Sequence, residues 1–425
     1  MQLLHIGSVD KYNNRIITEL ANKLYWDNTY NKMILKQGLS DEDKSLLWKL
    51  KEIYKEDIVQ EIENGTYTWG IPRRVEIAKH DSNKKRVVYI YPLKDRFVQG
   101  VLYRVFSEVF KDIISDNCFS YQKEVSTSHA IQYLKNRRTE ENKYGVKTDI
   151  HAYFNSVNFD VVAELLDTLF IGNLNTVMKS LMLEKRVLWR EKEIEEWKAL
   201  IPGSPIGSFF ANICLKPLDD WFEEYNKIYA RYSDDIVVLD TSKENLKEDL
   251  QKIQEYLGQL GLTMNPEKYQ WFEPGDAVDF LGLKLTDNGI IDISDHSKQK
   301  IKKQIHRWCK KGRVKIERDH EDYYKIARRI VHQLNHKNFK CFIENNMSFG
   351  WCAYAFPRIT TVDSLREIDL YTKEQLRYLK TGKHNKANYR IPEEEFEKIG
   401  WVSLVQLYYL FRTDFDYYCE VLELL

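Results

Sequence analysis

The sequence lacks the cysteine patterns of zinc sites and disulfide frameworks. Its six cysteines include no CxxC pair and no Cys/His cluster with zinc-site spacing, so free thiols in a reducing compartment are the simplest interpretation. The N-terminus, MQLLHIGSVDKYNN, has no basic segment followed by an apolar run. No stretch approaches the roughly 20 apolar residues that a membrane span requires. We therefore expect a cytoplasmic protein that does not contact membranes.

The chain also lacks an excess of charge of either sign. Its 425 residues include 64 basic and 64 acidic side chains, so any binding of nucleic acid must depend on local basic clusters and not on a global positive field. Hydrophobic residues make up 43% of the chain. This content and length predict two to four domains, each with its own core.

The pattern of apolar residues changes along the chain. Residues 1–70 have helical spacing, and residues 71–104 contain short extended runs. Strand-like segments at 146–154 and 228–240 alternate with helical segments, and the chain after about residue 290 is almost wholly helical. Strands and helices mixed in this way predict an α/β palm-like core.

An acidic pair, Asp234 and Asp235, lies between two apolar β-rich runs, and Asp149 lies near the end of another strand-like segment. Such a pair is also typical of a solvated β-turn. However, acidic side chains that project from buried strands are costly unless they bind cations. Transfer of a nucleotide to a 3′-hydroxyl uses two metal ions about 3.5 to 4 Å apart, and Mg²⁺ needs few carboxylates besides substrate phosphates. The three aspartates therefore predict a site for two Mg²⁺ ions, with Mn²⁺ as a substitute.

Three sequence blocks extend this pattern: DIHAYFNSV at 149–157, IPGSPIGSFFANICL at 201–215 and YSDD at 232–235. In this order they resemble the metal-binding strand, the Pro-Gln-Gly loop with its Ala-Asn helix, and the YxDD hairpin of bacterial reverse transcriptases of the retron and group II intron class. The chain is most similar to the defence-associated members, the unknown-group and abortive-infection enzymes. With further similar segments on both sides, the resemblance covers roughly residues 70–310.

The resemblance implies a right-hand polymerase of the α/β (α+β) class, with helical additions at both ends. The implied division is an N-terminal helical region at 1–70, fingers at 71–148, a palm at 149–288, a thumb at 289–345 and a C-terminal helical RNA-binding or assembly domain at 346–425.

The resemblance also implies roles for single residues. The implied metal-binding set is Asp149, Ile150, Asp234 and Asp235. Phe154 matches a steric gate that rejects the ribose 2′-hydroxyl, although it could be an ordinary core residue. Lys268 matches a general acid for the leaving pyrophosphate, with an exposed lysine as the alternative. Further residues predicted to bind the substrate are Lys79, Arg86, Gly203 and Tyr232.

One position departs from the family. Pro202 stands where the family has a glutamine, and proline offers neither an amide side chain nor a main-chain donor. We therefore predict altered fidelity or altered nucleotide preference.

The helix-like segment 298–311 contains seven Lys/Arg residues, with apolar residues on its other face. It resembles a thumb helix that binds the template–primer backbone, and a solvated amphipathic helix is the alternative. The predicted nucleic-acid contacts are Lys302, Lys303, Arg307, Lys310 and Lys311.

Together these features predict an RNA-directed DNA polymerase that copies an associated noncoding RNA into DNA from dNTPs, with a role in antiphage defence. The alternatives are an untemplated terminal DNA polymerase, an RNA-synthesising polymerase and a non-catalytic RNA-binding scaffold. The template, the priming mechanism, the trigger and the oligomeric state, including a homo-oligomer, stay open at this point.

Overall fold

A computed structural model describes residues 9–35, 38–78, 85–265, 269–339, 341–342, 347–348 and 351–424. The chain forms two compact units, residues 1–273 and 274–425. Within the described part of the chain, no helix is both long and apolar enough to cross a membrane.

The first unit combines helices with two four-stranded sheets. Its helices are α1 (Val9–Leu20), α2 (Lys23–Ile34), α3 (Asp41–Glu52), α4 (Lys55–Glu63), α5 (Leu93–Val109), α6 (Thr127–Arg137), α7 (Tyr153–Ser156), α8 (Phe159–Leu169), α9 (Gly172–Met182), α10 (Pro205–Cys214), α11 (Lys216–Glu224) and α12 (Lys243–Gln259). Its strands are β1 (Arg73–Ala78), β2 (Lys85–Ile90), β3 (Tyr144–Asp149), β4 (Arg186–Trp189), β5 (Lys192–Glu195), β6 (Ile228–Tyr232), β7 (Asp235–Asp240) and β8 (Gln270–Phe272).

The N-terminal region is helical, as its periodicity predicts. A capping box between Ser40 and Asp43 begins α3, because each side chain satisfies a main-chain donor at the helix end. Helices α1, α2 and α3 all pack against α5. One such contact joins the rings of Trp26 and Phe97, whose centroids are 5.7 Å apart. The N-terminal helices therefore pack against α5, the long helix of the predicted fingers.

The fingers sheet has the strand order β2-β1-β4-β5. Helix α5, which follows β2, packs on the palm through an aromatic cluster in which the ring centroid of Phe106 lies 5.1 Å from that of Phe170 and 5.3 Å from that of Phe209. Such pairs bury large apolar areas, so α5 and the palm helix α10 share one core.

The palm sheet has the order β6-β7-β3-β8. Strand β3 lies between β7 and β8 and pairs antiparallel with both. Five of the six residues of β7 are buried, because helices cover the sheet and only the end of the strand that begins with Asp235 is open. This arrangement confirms the predicted α/β palm.

The second unit contains small sheets and long helices. Its strands are β9 (Val278–Phe280), β10 (Leu283–Leu285), β11 (Ile291–Ile293), β12 (Cys341–Phe342) and β13 (Met347–Ser348). Its helices are α13 (Asp295–Asp319), α14 (Tyr323–Phe339), α15 (Trp351–Ala355), α16 (Asp363–Thr381), α17 (Glu394–Glu397), α18 (Leu404–Thr413) and α19 (Phe415–Leu424).

The boundaries of the compact units differ from the predicted domain limits. The division follows Glu273, so the sheet β9–β11, which was predicted to belong to the palm, groups with the second unit. The predicted thumb and C-terminal domain are also one unit, because α13 packs along α16. Gly312 allows this close approach, since a Cβ at that position would lie 3.0 Å from Leu379.

Lys198 is fully buried in the first unit. Among the described residues its Nζ has no hydrogen-bond partner, and burial lowers the pKa of Lys198 to about 8. Replacing Lys198 with methionine is expected to raise the free energy of unfolding at pH 7 by roughly 3 kcal/mol. The unfolded chain binds this proton more tightly, so the free energy of unfolding of the wild type should rise between pH 8 and 10.5. The difference in stability between the Lys198→Met variant and the wild type should therefore shrink over this range.

Urea unfolding at pH 7 and pH 10 measures this effect. The matched control is the exposed Lys192, whose replacement by methionine should change stability by less than about 0.5 kcal/mol. A Lys198→Met variant less stable than the wild type at pH 7 would show that the buried ammonium has a compensating partner.

Candidate active site

The structure brings the three predicted aspartates together at one end of the palm sheet. Asp149 ends β3 and is directly opposite Asp235, the first residue of β7, while Asp234 lies in the two-residue turn between β6 and β7. The main-chain N–H of Ile150 donates to the carbonyl of Asp234 at 3.1 Å, and that of Asn265 donates to the carbonyl of Asp149 at 2.8 Å. Main-chain hydrogen bonds therefore fix the positions of all three acids.

The charges at this edge repel one another. Asp149 is only 6% exposed, and like charges directly opposite on neighbouring strands are destabilising. Lys147 offsets part of this repulsion, because its Nζ lies 3.9 Å from Oδ1 of Asp235. A bound divalent cation would neutralise the remainder.

The donor set fits magnesium ions that the substrate helps to hold. Among the described residues, no group of three or more His, Cys, Asp or Glu side chains is arranged to hold a metal by itself. Mg²⁺ commonly uses one or two carboxylates, several waters and substrate phosphates, which Asp149, Asp234 and Asp235 can supplement. The hydrocarbon side chain of Ile150 is 1% exposed, so only its main-chain carbonyl could contribute.

The turn that carries Asp234 has an unusual backbone that a distant segment holds in place. Ser233 has a φ of +61°, which residues other than glycine rarely adopt. Ser120 Oγ accepts a hydrogen bond from the main-chain N–H of Ser233 at 2.9 Å, and the Tyr121 hydroxyl donates to Ser233 Oγ at 3.3 Å. The Arg231 guanidinium donates to the Ser233 carbonyl at 3.3 Å. These three side chains therefore determine the position of the turn.

A buried polar network supports the same segment. Arg231 forms two hydrogen bonds with Asp219, at 2.8 and 2.5 Å, and the Tyr229 hydroxyl donates to Asp219 at 3.0 Å. Burial alone would lower the pKa of Arg231, but the Asp219 carboxylate raises it well above its ordinary value. Asn212 accepts a hydrogen bond from the Ser120 hydroxyl at 2.9 Å and donates one to the Ser120 carbonyl at 2.7 Å.

The predicted gate residue lies next to this turn. Phe154 is half-buried in α7, and its ring centroid is 6.4 Å from that of Tyr121, which in turn is 6.4 Å from that of Tyr232. The Phe154 carbonyl accepts a hydrogen bond from the main-chain N–H of Leu200 at 3.1 Å. This bond joins the gate segment to the Pro/Gly-rich loop.

The loop at Pro202 and Gly203 lies against the fingers sheet. The Pro202 carbonyl accepts a hydrogen bond from the main-chain N–H of Tyr89 in β2 at 2.9 Å. Gly203 has a φ of +95°, and a Cβ there would lie 3.2 Å from the Cβ of Val88. Glycine is therefore required both for the backbone conformation and for the close contact with β2.

The predicted basic residues have different surroundings. Arg86 is exposed on β2. Lys79 and Lys268 lie outside the described residues, so their predicted roles stay predictions. In the second unit, Lys303, Arg307, Lys310 and Lys311 are exposed on α13.

Lys302 differs from its neighbours on α13. Its Nζ lies 2.5 Å from Oε1 of Glu367 in α16 and 5.3 Å from the centre of the Tyr371 ring. Hydrogen bonds from Lys298 and Lys302 lower the pKa of Glu367 to about 2, so this pairing is present at neutral pH.

Sequence reasoning did not identify the residues that position the turn at Ser233 and Asp234, the candidate catalytic turn. These residues are Ser120, Tyr121, Asn212, Asp219 and Arg231. One signal was present: Arg231 interrupts the apolar run IYARY, and a charged residue in a buried strand requires a buried partner. The identity of that partner could not be inferred, because Asp219 lies on another element.

Comparison with known proteins agrees with this geometry. Residues 77–285 match the family described as reverse transcriptase (RNA-dependent DNA polymerase). A COX1/OXI3 intron 1 protein of Saccharomyces cerevisiae is 20% identical over 320 residues, covering 61% of this chain and 38% of that protein. The group II intron-encoded protein LtrA of Lactococcus lactis is 21% identical over 238 residues, covering 53% of this chain and 38% of that protein.

Among solved structures, a telomerase from Candida tropicalis aligns with a TM-score of 0.40 at 12% identity, covering 53% of this chain and 55% of that chain. That likeness is too low to add to the fold assignment. The chain spans 38% of the length of the two curated relatives above. The matched segment contains the three aspartates, the Pro/Gly-rich loop and Phe154, the predicted gate residue. The match to the reverse transcriptase (RNA-dependent DNA polymerase) family thus covers residues 77–285, just under half of the chain.

Proposed function

We propose that this protein is an RNA-directed DNA polymerase that adds deoxynucleotides to a primer 3′-hydroxyl at the edge of the palm sheet. The observation that carries the proposal is the pairing of Asp149 with Asp235, with Asp234 in the adjacent turn. When bound, two divalent ions would activate the attacking hydroxyl and neutralise the departing pyrophosphate.

The side chains of the site have separate tasks in this reaction. Asp149, Asp234 and Asp235 hold the ions, and the half-buried ring of Phe154 excludes a ribose 2′-hydroxyl. Arg86 is exposed on β2, and its planar guanidinium suits the triphosphate oxygens. Gly203 lets the Pro/Gly-rich loop approach β2, the strand that carries Arg86.

Primer extension with three substrates tests the proposal. A labelled DNA primer is annealed to RNA or to DNA, or is left single-stranded, and each is supplied with the four dNTPs and Mg²⁺. Extension that stops at the end of the RNA template is the expected result. Extension of the single-stranded primer alone would instead establish an untemplated terminal transferase, and no extension of any primer would overturn polymerase activity.

The proposal includes a biological setting that rests on the family resemblance alone. In this setting the enzyme copies an associated noncoding RNA in the cytoplasm and takes part in antiphage defence. Sequencing of the nucleic acids that copurify with the protein, before and after phage challenge, should recover one abundant RNA together with complementary DNA. Recovery of DNA without a complementary RNA would contradict a dedicated template.

The exposed lysines of α13 are expected to bind the phosphate backbone. Replacing Lys303 with alanine should weaken binding of an RNA–DNA duplex and reduce the slope of log K against log salt by about 0.7 to 0.9, the value of one lost phosphate contact. The matched control is Lys302→Ala, because Glu367 already holds that ammonium. Equal effects of the two substitutions would contradict a specific role for the exposed face.

Pro202 is expected to influence fidelity. The Pro202→Gln substitution restores the amide side chain of the family while the carbonyl bonded to Tyr89 is retained. We expect a change of at least about twofold in misincorporation, since polar contacts to a nascent pair alter discrimination. Sequencing of the extension products measures it, and indistinguishable error spectra would contradict this expectation.

A further inference from the structure

Tyr121 joins the gate residue to the catalytic turn. Its ring meets that of Phe154 edge-on, with centroids 6.4 Å apart and planes at 89°. Its other neighbour is the ring of Tyr232, also at 6.4 Å, and its hydroxyl donates to Ser233 Oγ. One side chain thus contacts both the group proposed to sense the sugar and the hairpin that carries two of the aspartates.

Hydrogen bonds from other elements also hold the backbone of Tyr121. Tyr121 has a φ of +54°, a conformation that is sparsely populated and persists only when surrounding contacts enforce it. The Tyr103 hydroxyl donates to the Tyr121 carbonyl at 2.8 Å, and the adjacent Ser120 is bonded to Asn212. The main chain that carries the ring is therefore held in place beside Phe154.

We infer that Tyr121 is a specificity-determining residue that keeps the Phe154 ring in the position that rejects ribonucleotides. This inference rests on the proposed polymerase function. A steric gate discriminates only if its ring cannot rotate away when a 2′-hydroxyl enters. Phe154 lies in α7, a helix of four residues, which is too short to immobilise a half-buried ring by itself. The Tyr121 ring blocks the side toward the catalytic turn.

The two parts of the Tyr121 side chain have different predicted effects. Tyr121→Leu removes the ring together with the hydroxyl and should lower the ratio of kcat/KM for dNTP over rNTP about tenfold. Tyr121→Phe keeps the ring and loses only the hydrogen bond to Ser233. It should slow the incorporation of dNTP and rNTP alike and leave the ratio of their kcat/KM values within about twofold of the wild type.

A double-mutant cycle tests whether Tyr121 acts through the gate. Phe154→Ala is expected to abolish most sugar discrimination, and adding Tyr121→Leu should then change the ratio by less than about twofold. If the two substitutions reduce the ratio independently, Tyr121 does not act through Phe154. The matched control is Tyr133→Leu: Tyr133 is another half-buried tyrosine that packs on an aromatic ring, that of Phe119, and its loss should leave the ratio unchanged.

Single-nucleotide incorporation on an RNA template with matched dNTP and rNTP measures all of these ratios. If the wild-type protein incorporates neither nucleotide, the proposed function fails. If the wild type selects dNTP and Tyr121→Leu keeps the wild-type ratio, only the inference about Tyr121 fails. Should Tyr121→Leu not fold, Tyr103→Phe loosens the same backbone and should lower the ratio about threefold, and an unchanged ratio there overturns the inference equally.

Discussion

Replacing Asp235 with asparagine is expected to reduce nucleotide incorporation by at least about 1000-fold, which corresponds to roughly 4 kcal/mol of transition-state stabilisation. Asp235 is directly opposite Asp149, so its loss removes one of two adjacent carboxylates that would hold the ions. An asparagine of the same shape keeps the strand pairing but supplies a neutral, weaker ligand. Primer-extension rates at saturating Mg²⁺ measure the loss.

The same substitution should stabilise the protein. Like charges on directly opposed strand residues destabilise a sheet by about 0.2 to 1 kcal/mol, so Asp235→Asn should raise the free energy of unfolding in the absence of divalent ions. Mg²⁺ should stabilise the wild type more than the variant, since a ligand stabilises only the state that binds it. A more stable but inactive variant would exclude misfolding as the cause of inactivity.

The control for Asp235 is the exposed Asp160 in the first turn of α8. Asp160→Asn makes the same change in charge and should retain wild-type activity, because within the described part of the chain Asp160 makes no hydrogen bond or ion pair with the three aspartates of the site. An Asp235→Asn variant with more than about a tenth of wild-type activity would contradict the role of this carboxylate.

The second large effect concerns the buried ion pair beneath the catalytic turn. Arg231→Met and Asp219→Leu, made singly, should each lower the free energy of unfolding by about 3 to 5 kcal/mol, because each leaves a buried charge without its partner. Both side chains of this pair are at most 1% exposed. The double variant should recover most of the loss, since it leaves neither charge behind.

Urea unfolding of the single and double variants measures this coupling. The partly exposed pair of Lys216 and Asp220 provides the control, and Asp220→Ala should cost less than about 1 kcal/mol. A double variant as unstable as the sum of the two single variants would show that Arg231 and Asp219 are not energetically coupled. Loss of the Arg231 bond to Ser233 should also leave the double variant with reduced activity even where it is folded.

The aspartates of the site could be predicted from the sequence, but the residues that hold their hairpin in place could not. Asp234 and Asp235 lie between apolar runs of strand-like residues, and this local pattern is sufficient to place them on a buried hairpin. The main-chain N–H of Ser233 in the hairpin donates to Ser120 Oγ, 113 positions away, and Ser120 is itself bonded to Asn212, 92 positions away. No periodicity within a short window reports such a contact.

The same limit applies to the basic helix. The lysines of α13 are evident from composition and spacing, and the prediction placed Lys302 and Lys303 on one nucleic-acid surface. Glu367, which pairs with Lys302, is 65 residues away in the sequence. Charge pairing across that separation depends on how α13 packs against α16, which local patterns do not determine.

The packing of α13 against α16 has a consequence for synthesis on the ribosome. The palm sheet is complete once β8 at Gln270–Phe272 has emerged, so the unit that carries the three aspartates can fold while the rest of the chain is still being made. Helix α13 needs Leu379 and its neighbours to cover its apolar face. The nascent chain should therefore acquire its proposed nucleotide-transfer centre well before its basic helix is stably formed. Premature termination between the two would release the unit with the three aspartates without the helix that is proposed to bind the template.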